Sequence, residues 1–398
     1  MSTGLTGGSI PDWRPSWTSS GARKAEVVRG KVKLSVPYLG MLHIAYARIL
    51  RNVGVDVILP PKPTRKTLDL GTRYSPEFAC LPFKLTLGTM IEALESGADA
   101  IFMPGGFGPC RFGYYDAVQN QILKELGYRF TMGSAENPDR LSDMLELMRR
   151  IAGLHTKAGL FMLFYFILMR LSALDWALKR YFSTKPREVV PNETDRVLRK
   201  SVQLIDSSLS VPSLLRARLK VSRWFRKIAL RNDDAPLRIG IIGELFMVLE
   251  PSANTGIDMR LARRGIEVWK SVWLSDWLND RFRFKPFTRN QLKLSSRYAH
   301  PYLRYPAGGE SMESVGKTIL FAKRGVDGII HIFPFTCMPE LVAQTILAKV
   351  QRDLDVPILT LIFDEHTAQG AIDTRIEAFI DLLERRKRSR GIPHPEGG

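Results

Sequence analysis

The chain contains three cysteines, Cys80, Cys110 and Cys337, and their surroundings favour a chemical role. Each cysteine lies in a turn marked by Pro or Gly, in the stretches FACLP, GGFGPCR and FPFTCMP. The last two turns directly follow the apolar runs ADAIFMP and VDGIIHIFPF, which predict buried strands. Binding and catalytic groups concentrate on loops of this kind. Three thiolates that meet there could bind one metal centre and leave a coordination position open, as a catalytic iron–sulfur cluster requires.

The alternative interpretation is structural, because a free cysteine is often a small buried hydrophobic residue. No two cysteines are spaced as C-x-x-C, so the sequence indicates neither a zinc ribbon nor a thioredoxin-type site. An odd number of cysteines without a secretion signal argues against a disulfide framework.

Charged residues near the predicted strand ends are further candidates. Glu244 is a candidate base or fourth cluster ligand, or equally a carboxylate at a helix N-terminus. His331 is a weaker catalytic candidate, since a histidine inside a strand is more often a core residue. Residues 364–366 (Asp-Glu-His) suggest a metal site, although capping of the following helix is favoured. Lys84 and Arg111 flank the cysteine turns and could offset the charge of a thiolate-bound cluster, or be surface charges.

Two glycine-containing stretches partly resemble nucleotide-binding motifs. Gly106 and Gly108 do not fit a dinucleotide fingerprint, and they are better explained by a close approach of the backbone to a cluster. The stretch SMESVGKT ends like a phosphate-binding loop, but Ser311 occupies the position of its first glycine and no apolar strand precedes it. The preceding turn, residues 308–310, could bind an anion through its backbone amides.

Alternating strand and helix patterns predict two similar α/β domains, at residues 31–138 and 235–388. Such alternation is typical of parallel sheets covered by helices, whose ligands bind beyond the carboxyl ends of the strands. Cys110 and Cys337 follow corresponding strands and should therefore face each other across a cleft. Residues 139–234 carry helical periodicity without strand signals, and tails are expected at 1–30 and 389–398.

The net charge of +18 is concentrated in one segment. Residues 149–231 hold 18 Lys and Arg against five Asp and Glu. Such a segment suits an acidic partner, a nucleic acid or an anionic membrane, or is a solvated helical face, and no nucleic-acid motif is present. The longest apolar run, residues 158–169, is shorter than the roughly 20 residues that span a bilayer. We therefore expect a buried or interfacial helix, no membrane span and a cytoplasmic protein.

Four stretches resemble the 2-hydroxyacyl-CoA dehydratase D-component family, and more closely its relatives described as CoA-substrate-specific enzyme activases, of the DUF2229 type. They are YSPEFACLPFKLTLG, GGFGPCRFGYY, HIFPFTCMPE and FDEHTAQGAIDTRIEAF. The resemblance extends over residues 32–386, and its three ordered cysteines make it specific.

The resemblance implies two flavodoxin-like domains, separated here by the helical segment, that bind a 4Fe–4S cluster through Cys80, Cys110 and Cys337. In the dehydratases an ATP-hydrolysing activator of actin-like fold delivers a low-potential electron, which passes to an acyl-CoA thioester. The resulting ketyl radical expels a β-hydroxyl group. No amino-acid side chain supplies such an electron, so the reaction needs a cofactor. This chain lacks the glycine-rich phosphate loops expected of the activator itself.

An oxygen-sensitive iron–sulfur dehydratase (a lyase), or the reductase component of an ATP-dependent system, is thus the expected function, as a homodimer or heterodimer. The alternative is a non-catalytic electron carrier or assembly subunit that docks an acidic partner through its basic helices. A pocket beside the cysteines would favour the enzyme, and a sealed cluster would favour the carrier.

Overall fold

The computed structural model describes residues 32–103, 110–134, 156–231, 235–282 and 290–391. The fold is α/β, with two four-stranded parallel sheets. We call residues 32–134 the first half, 156–231 the helical segment and 235–391 the second half. All three belong to one compact unit that begins at Lys31. The tail expected at 1–30 and most of that at 389–398 lie outside the described residues.

The first half is built on a sheet in the order β2-β1-β3-β4. Its strands are β1 (Lys33–Ser35), β2 (Asp56–Val57), β3 (Ala100–Met103) and β4 (Thr131–Ser134). Its helices are α1 (Leu42–Asn52), α2 (Arg65–Tyr74), α3 (Leu81–Glu95) and α4 (Tyr115–Glu125), and a short 3-10 helix (Arg111–Tyr114) precedes α4. The sequence patterns predict three of these strands but not β4.

Two glycines bring α2 and α3 into close contact. A Cβ on Gly71 would lie 1.7 Å from the Lys84 carbonyl oxygen, and a Cβ on Gly88 would lie 1.9 Å from that of Thr67. Only glycine therefore permits this crossing. The contact fixes α3, whose residues Leu81–Leu94 are all buried, and with it the cysteine at the start of the helix.

The helical segment consists of α5 (Lys157–Thr184), a 3-10 turn (Lys185–Arg187), α6 (Glu193–Asp206) and α7 (Val211–Arg226). Pro212 lies in the first turn of α7, where proline is well tolerated because the missing N–H would have no partner. Arg170 of α5 is fully buried and donates to the backbone carbonyls of Ala45 and Ile205. Since Ala45 belongs to α1, this side chain joins the helical segment to the first half.

Helix α5 is the one helix in the described ranges that is long and apolar enough to cross a membrane by length and composition. Core helices of soluble proteins pass the same test. Leu171, Leu174 and Tyr181 of α5 are buried in a hydrophobic core, whereas Phe161 and Met162 near its start are exposed.

The second half is built on a sheet in the order β6-β5-β7-β8. Its strands are β5 (Arg238–Gly243), β6 (Glu267–Lys270), β7 (Gly328–Pro334) and β8 (Ile358–Phe363). Its helices are α8 (Leu245–Leu249), α9 (Pro251–Asn254), α10 (Ile257–Arg263), α11 (Leu274–Phe282), α12 (Gln291–Ala299), α13 (Ser311–Lys323), α14 (Met338–Leu354) and α15 (Gln369–Gly391). Helix α15 continues past residue 388, where the C-terminal tail was expected to begin.

The two sheets have the same strand order, so the two halves repeat one topology. In each half the second strand of the chain lies at the sheet edge beside the first strand. The third strand then pairs with the opposite side of the first strand. Parallel sheets of this kind bind ligands where that reversal occurs, between β1 and β3 or between β5 and β7.

Helix α13 contains the stretch that resembles a phosphate loop. Gly316 lies in the middle of this helix, and a Cβ there would be 2.0 Å from the Ser295 carbonyl oxygen of α12. The glycine therefore serves helix packing, and the backbone amides of residues 316–318 point along a helix instead of forming a phosphate cradle.

Candidate active site

Each of the three cysteines is the residue that immediately precedes a helix. Cys80 precedes α3, Cys110 precedes the 3-10 helix and Cys337 precedes α14, and none of their side chains caps its own helix. Pro82 and Pro339 lie in the first turns of α3 and α14 and favour helix initiation there. The partial positive charge at a helix N-terminus stabilises a thiolate.

The guanidinium group of Arg111 joins the three cysteine loops. Its Nη1 atom donates to the carbonyl oxygen of Phe78 at 2.8 Å, two residues before Cys80. Its Nη2 atom donates to the Thr336 carbonyl oxygen at 2.7 Å, one residue before Cys337. Arg111 itself follows Cys110. One side chain thereby holds together loops that are 225 residues apart in sequence.

The three thiols also influence one another electrostatically. Burial raises the pKa of Cys80 to about 11 and, with a smaller contribution from Cys80, raises the pKa of Cys110 to about 12. Burial likewise raises the pKa of Cys337 well above its usual value, and Cys80 again contributes. The thiols are therefore protonated at neutral pH without a metal, and metal binding must release their protons.

Tyr115 is hydrogen-bonded to Cys80 through its hydroxyl group. Burial, followed by the charge of Cys80, raises the pKa of Tyr115 well above its usual value, so the phenol keeps its proton and can donate it to a Cys80 thiolate. The ring packs against Phe83 and Phe112, with centroid distances of 4.9 and 5.2 Å. These contacts fix a hydrogen-bond donor on one of the three sulfur atoms.

Glu244 follows β5, at the point where the strand order of the second half reverses. Both of its carboxylate oxygens accept backbone N–H groups of α8, from Phe246 at 3.0 Å and Met247 at 2.9 Å. Burial, with smaller contributions from Glu310 and Glu340, raises the pKa of Glu244 to about 8. A carboxyl group with this pKa is mostly protonated at neutral pH. Its position agrees with the helix-terminus interpretation, and it is close enough to raise the pKa of all three thiols.

Glu310 also lies at the site, although sequence reasoning included it only in a glycine turn. It is 9% exposed, and it precedes α13. A Cβ on the neighbouring Gly309 would lie 4.0 Å from the Cys110 Cβ atom and 3.1 Å from Pro339. Neither Glu310 nor Tyr115 carries a local sequence signal, because their contacts depend on residues distant in the chain.

Other candidates have structural partners. Lys84 is buried and forms a 2.5 Å ion pair with Glu365, in the loop after β8. His331 and Glu340 are fully buried and joined by a 2.7 Å contact, as expected of a core histidine. Asp364 accepts the His366 backbone N–H at 2.9 Å and thus forms a turn before α15. Arg111 lies at the site, whereas Gly106 and Gly108 lie outside the described residues.

A pocket of about 190 Å³ lies beyond the carboxyl end of β6. Trp273 and Trp277 form part of its wall, and Lys317 is buried beside it. None of the three cysteines lines this pocket. It is connected to their surroundings by Trp277, whose indole N–H donates to Glu310 at 3.3 Å.

The donor types at this site suit an iron–sulfur cluster. In a 4Fe–4S cluster each thiolate binds a different iron atom, and soft thiol ligands are the ones that such clusters take. The three cysteines lie at helix N-termini whose loops Arg111 joins, and Tyr115 is hydrogen-bonded to one of the sulfur atoms. Within the described ranges, no three His, Cys, Asp or Glu side chains meet closely enough to hold one metal ion.

Comparison with known proteins gives one family match, and it lies in the first half. A search of curated proteins gave no significant match. Residues 39–108 match the profile of one protein family, described as the CoA enzyme activase uncharacterised domain (DUF2229). The matched region includes Cys80 and the helix that follows it. This part of the chain is therefore similar to the CoA enzyme activase domain, which is consistent with a family related to 2-hydroxyacyl-CoA dehydratases and their activases.

Proposed function

We propose that the protein binds a 4Fe–4S cluster through Cys80, Cys110 and Cys337. In this proposal it accepts a low-potential electron from an ATP-hydrolysing activator of actin-like fold and reduces a bound acyl-CoA. The observation that carries the proposal is the Arg111 contact, which holds the three cysteine loops together. The match of residues 39–108 to a CoA-related domain supports the substrate class.

When bound, such a cluster supplies single electrons and Lewis acidity. The side chains around it would perform the remaining tasks. Tyr115 donates a hydrogen bond to Cys80 and would stabilise negative charge on that sulfur. The Glu244 carboxyl group, with its pKa of about 8, holds a proton at neutral pH and could transfer it to a departing hydroxyl group.

The pocket beyond β6 is the proposed site of the acyl group. At about 190 Å³ it is smaller than the roughly 300–1,000 Å³ of sites for drug-sized ligands, so it suits an acyl group but not a whole CoA. Trp273 and Trp277 provide apolar contact in a wall that also carries charged residues, among them Lys317 and Asp280. The Trp277–Glu310 hydrogen bond connects the pocket with the cysteine site.

The activator would dock on the helical segment. Helix α7 carries five Arg and Lys residues and no Asp or Glu, and all five basic residues are exposed. Complementary charge accelerates the encounter between electron-transfer partners. We therefore propose an acidic surface on the activator and a cytoplasmic location, where ATP drives the transfer.

The cluster is tested by anaerobic purification with iron and sulfide analysis and EPR of the reduced protein. We expect a cluster in the native protein and its loss after Cys80→Ser, Cys110→Ser or Cys337→Ser. The control is Ser201→Ala, a small change at a buried residue of α6. A full cluster in any one cysteine variant would remove that residue from the ligand set.

One observation favours the electron-carrier alternative, namely that no cysteine lines the pocket beyond β6. The two functions differ in what the reduced protein does with an acyl-CoA. An enzyme converts a 2-hydroxyacyl-CoA to its dehydrated product when activator and ATP are present. A carrier leaves the thioester unchanged and passes its electron to an acceptor protein.

A further inference from the structure

The repeated topology assigns a structural counterpart to each cysteine. Helix α3 leads into β3 in the first half, and α13 leads into the equivalent β7 in the second half. The residues before these two helices are Cys80 and Glu310. After β3 and β7 come the helices preceded by Cys110 and Cys337. Two pairs of equivalent positions, Cys80 with Glu310 and Cys110 with Cys337, thus carry three cysteines and one glutamate.

We propose that Glu310 is the fourth protein ligand of the cluster, at the iron that no cysteine binds. This inference rests on the proposed cluster, and it adds a ligand that the resemblance does not supply. It follows from the positions of four residues in two copies of one fold.

The orientation of Glu310 supports this role. A glutamate before a helix usually accepts the N–H groups of the first turn, as both Glu244 and Glu250 do in this half. The Glu310 side chain does not cap α13, just as the three cysteines do not cap their helices. Its Oε1 atom accepts from Trp277 instead, at the wall of the pocket.

The location of Glu310 independently supports its role as a cluster ligand. Gly308 and Gly309 both have positive φ angles, 97° and 49°, which lets the loop turn sharply. That turn places Gly309 close to both Cys110 and Pro339, which lies two residues after Cys337. The chain therefore enters α13 beside the starts of the two helices that Cys110 and Cys337 precede.

The competing candidate for the fourth ligand is Glu244. Both of its oxygens are occupied by backbone N–H groups, so ligation would leave two amides of α8 without partners. If Glu310 binds iron, the first-turn amides of α13 lose no hydrogen bond, because the Glu310 side chain does not cap that helix. A carboxylate is also a harder ligand than a thiolate, so it would make one iron chemically distinct from the other three. A substrate oxygen would bind that iron by displacing the Glu310 carboxylate, which keeps the position available for Lewis-acid chemistry.

The test uses the full-length protein, reconstituted anaerobically with 57Fe and sulfide and studied by Mössbauer spectroscopy and by iron loss to a chelator. Glu310→Gln should change the signal of the distinct iron and accelerate its loss at least about tenfold. Glu310→Cys should give four equivalent sulfur environments and slower loss. Glu377→Gln, at an exposed position of α15, is the control and should keep the native spectrum.

An unchanged distinct-iron signal in Glu310→Gln would overturn the assignment of Glu310 while leaving the three-cysteine cluster intact. If Glu310→Gln does not fold, Glu310→Cys provides the test. A distinct-iron signal like that of the native protein in Glu310→Cys would also contradict the proposal. A native protein that binds no cluster would refute the proposed function first, and this inference with it.

Discussion

At the scale of single residues, Tyr115 offers a direct way to change the electronic properties of the site. Its hydroxyl is hydrogen-bonded to Cys80, and in the proposed cluster it would donate to that sulfur and stabilise the more negative, reduced state. We expect Tyr115→Phe to lower the reduction potential by about 60 mV, which corresponds to about 1.4 kcal/mol for one electron. A redox titration followed by EPR measures the shift.

The neighbouring Tyr114→Phe is the control, because the Tyr114 side chain is 72% exposed. It should leave the potential unchanged. Equal potentials in the native protein and in Tyr115→Phe would mean that the phenol does not act on the cluster.

Glu244 should make the stability of the cluster-free protein depend on pH. Its pKa is raised from 4.5 to about 8 on folding, so the folded state keeps a proton that the unfolded chain releases. This contribution is fully present below about pH 4.5 and is lost as the pH rises to about 8, with a slope of at most about 1.4 kcal/mol per pH unit.

Urea unfolding at pH 5, 6, 7 and 8 checks this expectation. The difference between the native protein and Glu244→Gln should fall steadily over that range, because glutamine does not titrate. Glu377→Gln, at an exposed position of α15, gives the reference slope. Parallel profiles for the native protein and Glu244→Gln would contradict the raised pKa.

At the scale of elements, the α2–α3 crossing controls where Cys80 lies. Gly88→Ala would bring a Cβ within 1.9 Å of the Thr67 carbonyl, and the required shift should cost about 1–3 kcal/mol despite the better helix propensity of alanine. We also expect less bound iron, since α3 begins beside Cys80. Gly370→Ala is the control, because nothing lies within 4 Å of a Cβ there. Thermal unfolding and iron analysis measure both effects.

The long elements of the fold could be predicted, and the short ones could not. Helix α1 and strand β7 have clear apolar periods, and Gly54 correctly marks the end of the first. Strand β4 is four residues long and reads TMGS, which has no strand pattern of its own. It forms because β3 offers a paired edge, with Ile101 opposite Met132. Such a contribution from tertiary structure leaves no local trace.

Like the fold, the candidate site could be predicted only in part from the sequence. The turns of Cys80, Cys110 and Cys337 carry Pro and Gly signals that sequence alone shows. From the sequence, Arg111 could be predicted only to compensate charge. Its role in fixing the loops could not be predicted, because its acceptors are backbone carbonyls distant in the chain. Glu310 becomes visible only when the two halves are compared in three dimensions.

At the scale of the whole molecule, Arg170 joins the helical segment to the first half. It is fully buried and donates to backbone carbonyls of α1 and of the end of α6, including Ile44 at 2.9 Å. Arg170→Met would remove several hydrogen bonds from a charged donor to buried carbonyls, each worth roughly 1.5–3 kcal/mol, so we expect a loss of at least about 4 kcal/mol. Arg226→Met, at an exposed position of α7, should change stability by less than about 0.5 kcal/mol.

Chemical denaturation of both variants gives the comparison. A small effect of Arg170→Met would show that packing of α5 alone holds the helical segment in place. A large effect would also predict that the segment and the first half unfold together, as one cooperative transition.

The contacts of Arg111 are made entirely between protein groups, to the carbonyl oxygens of Phe78 and Thr336. They hold distant stretches of the chain together without any bound group, so the proposed cluster site is formed by the protein alone. On the proposed function, a polypeptide built in this way would keep its fold after the loss of its cluster. Restoring the cluster would then require iron and sulfide but no new protein synthesis.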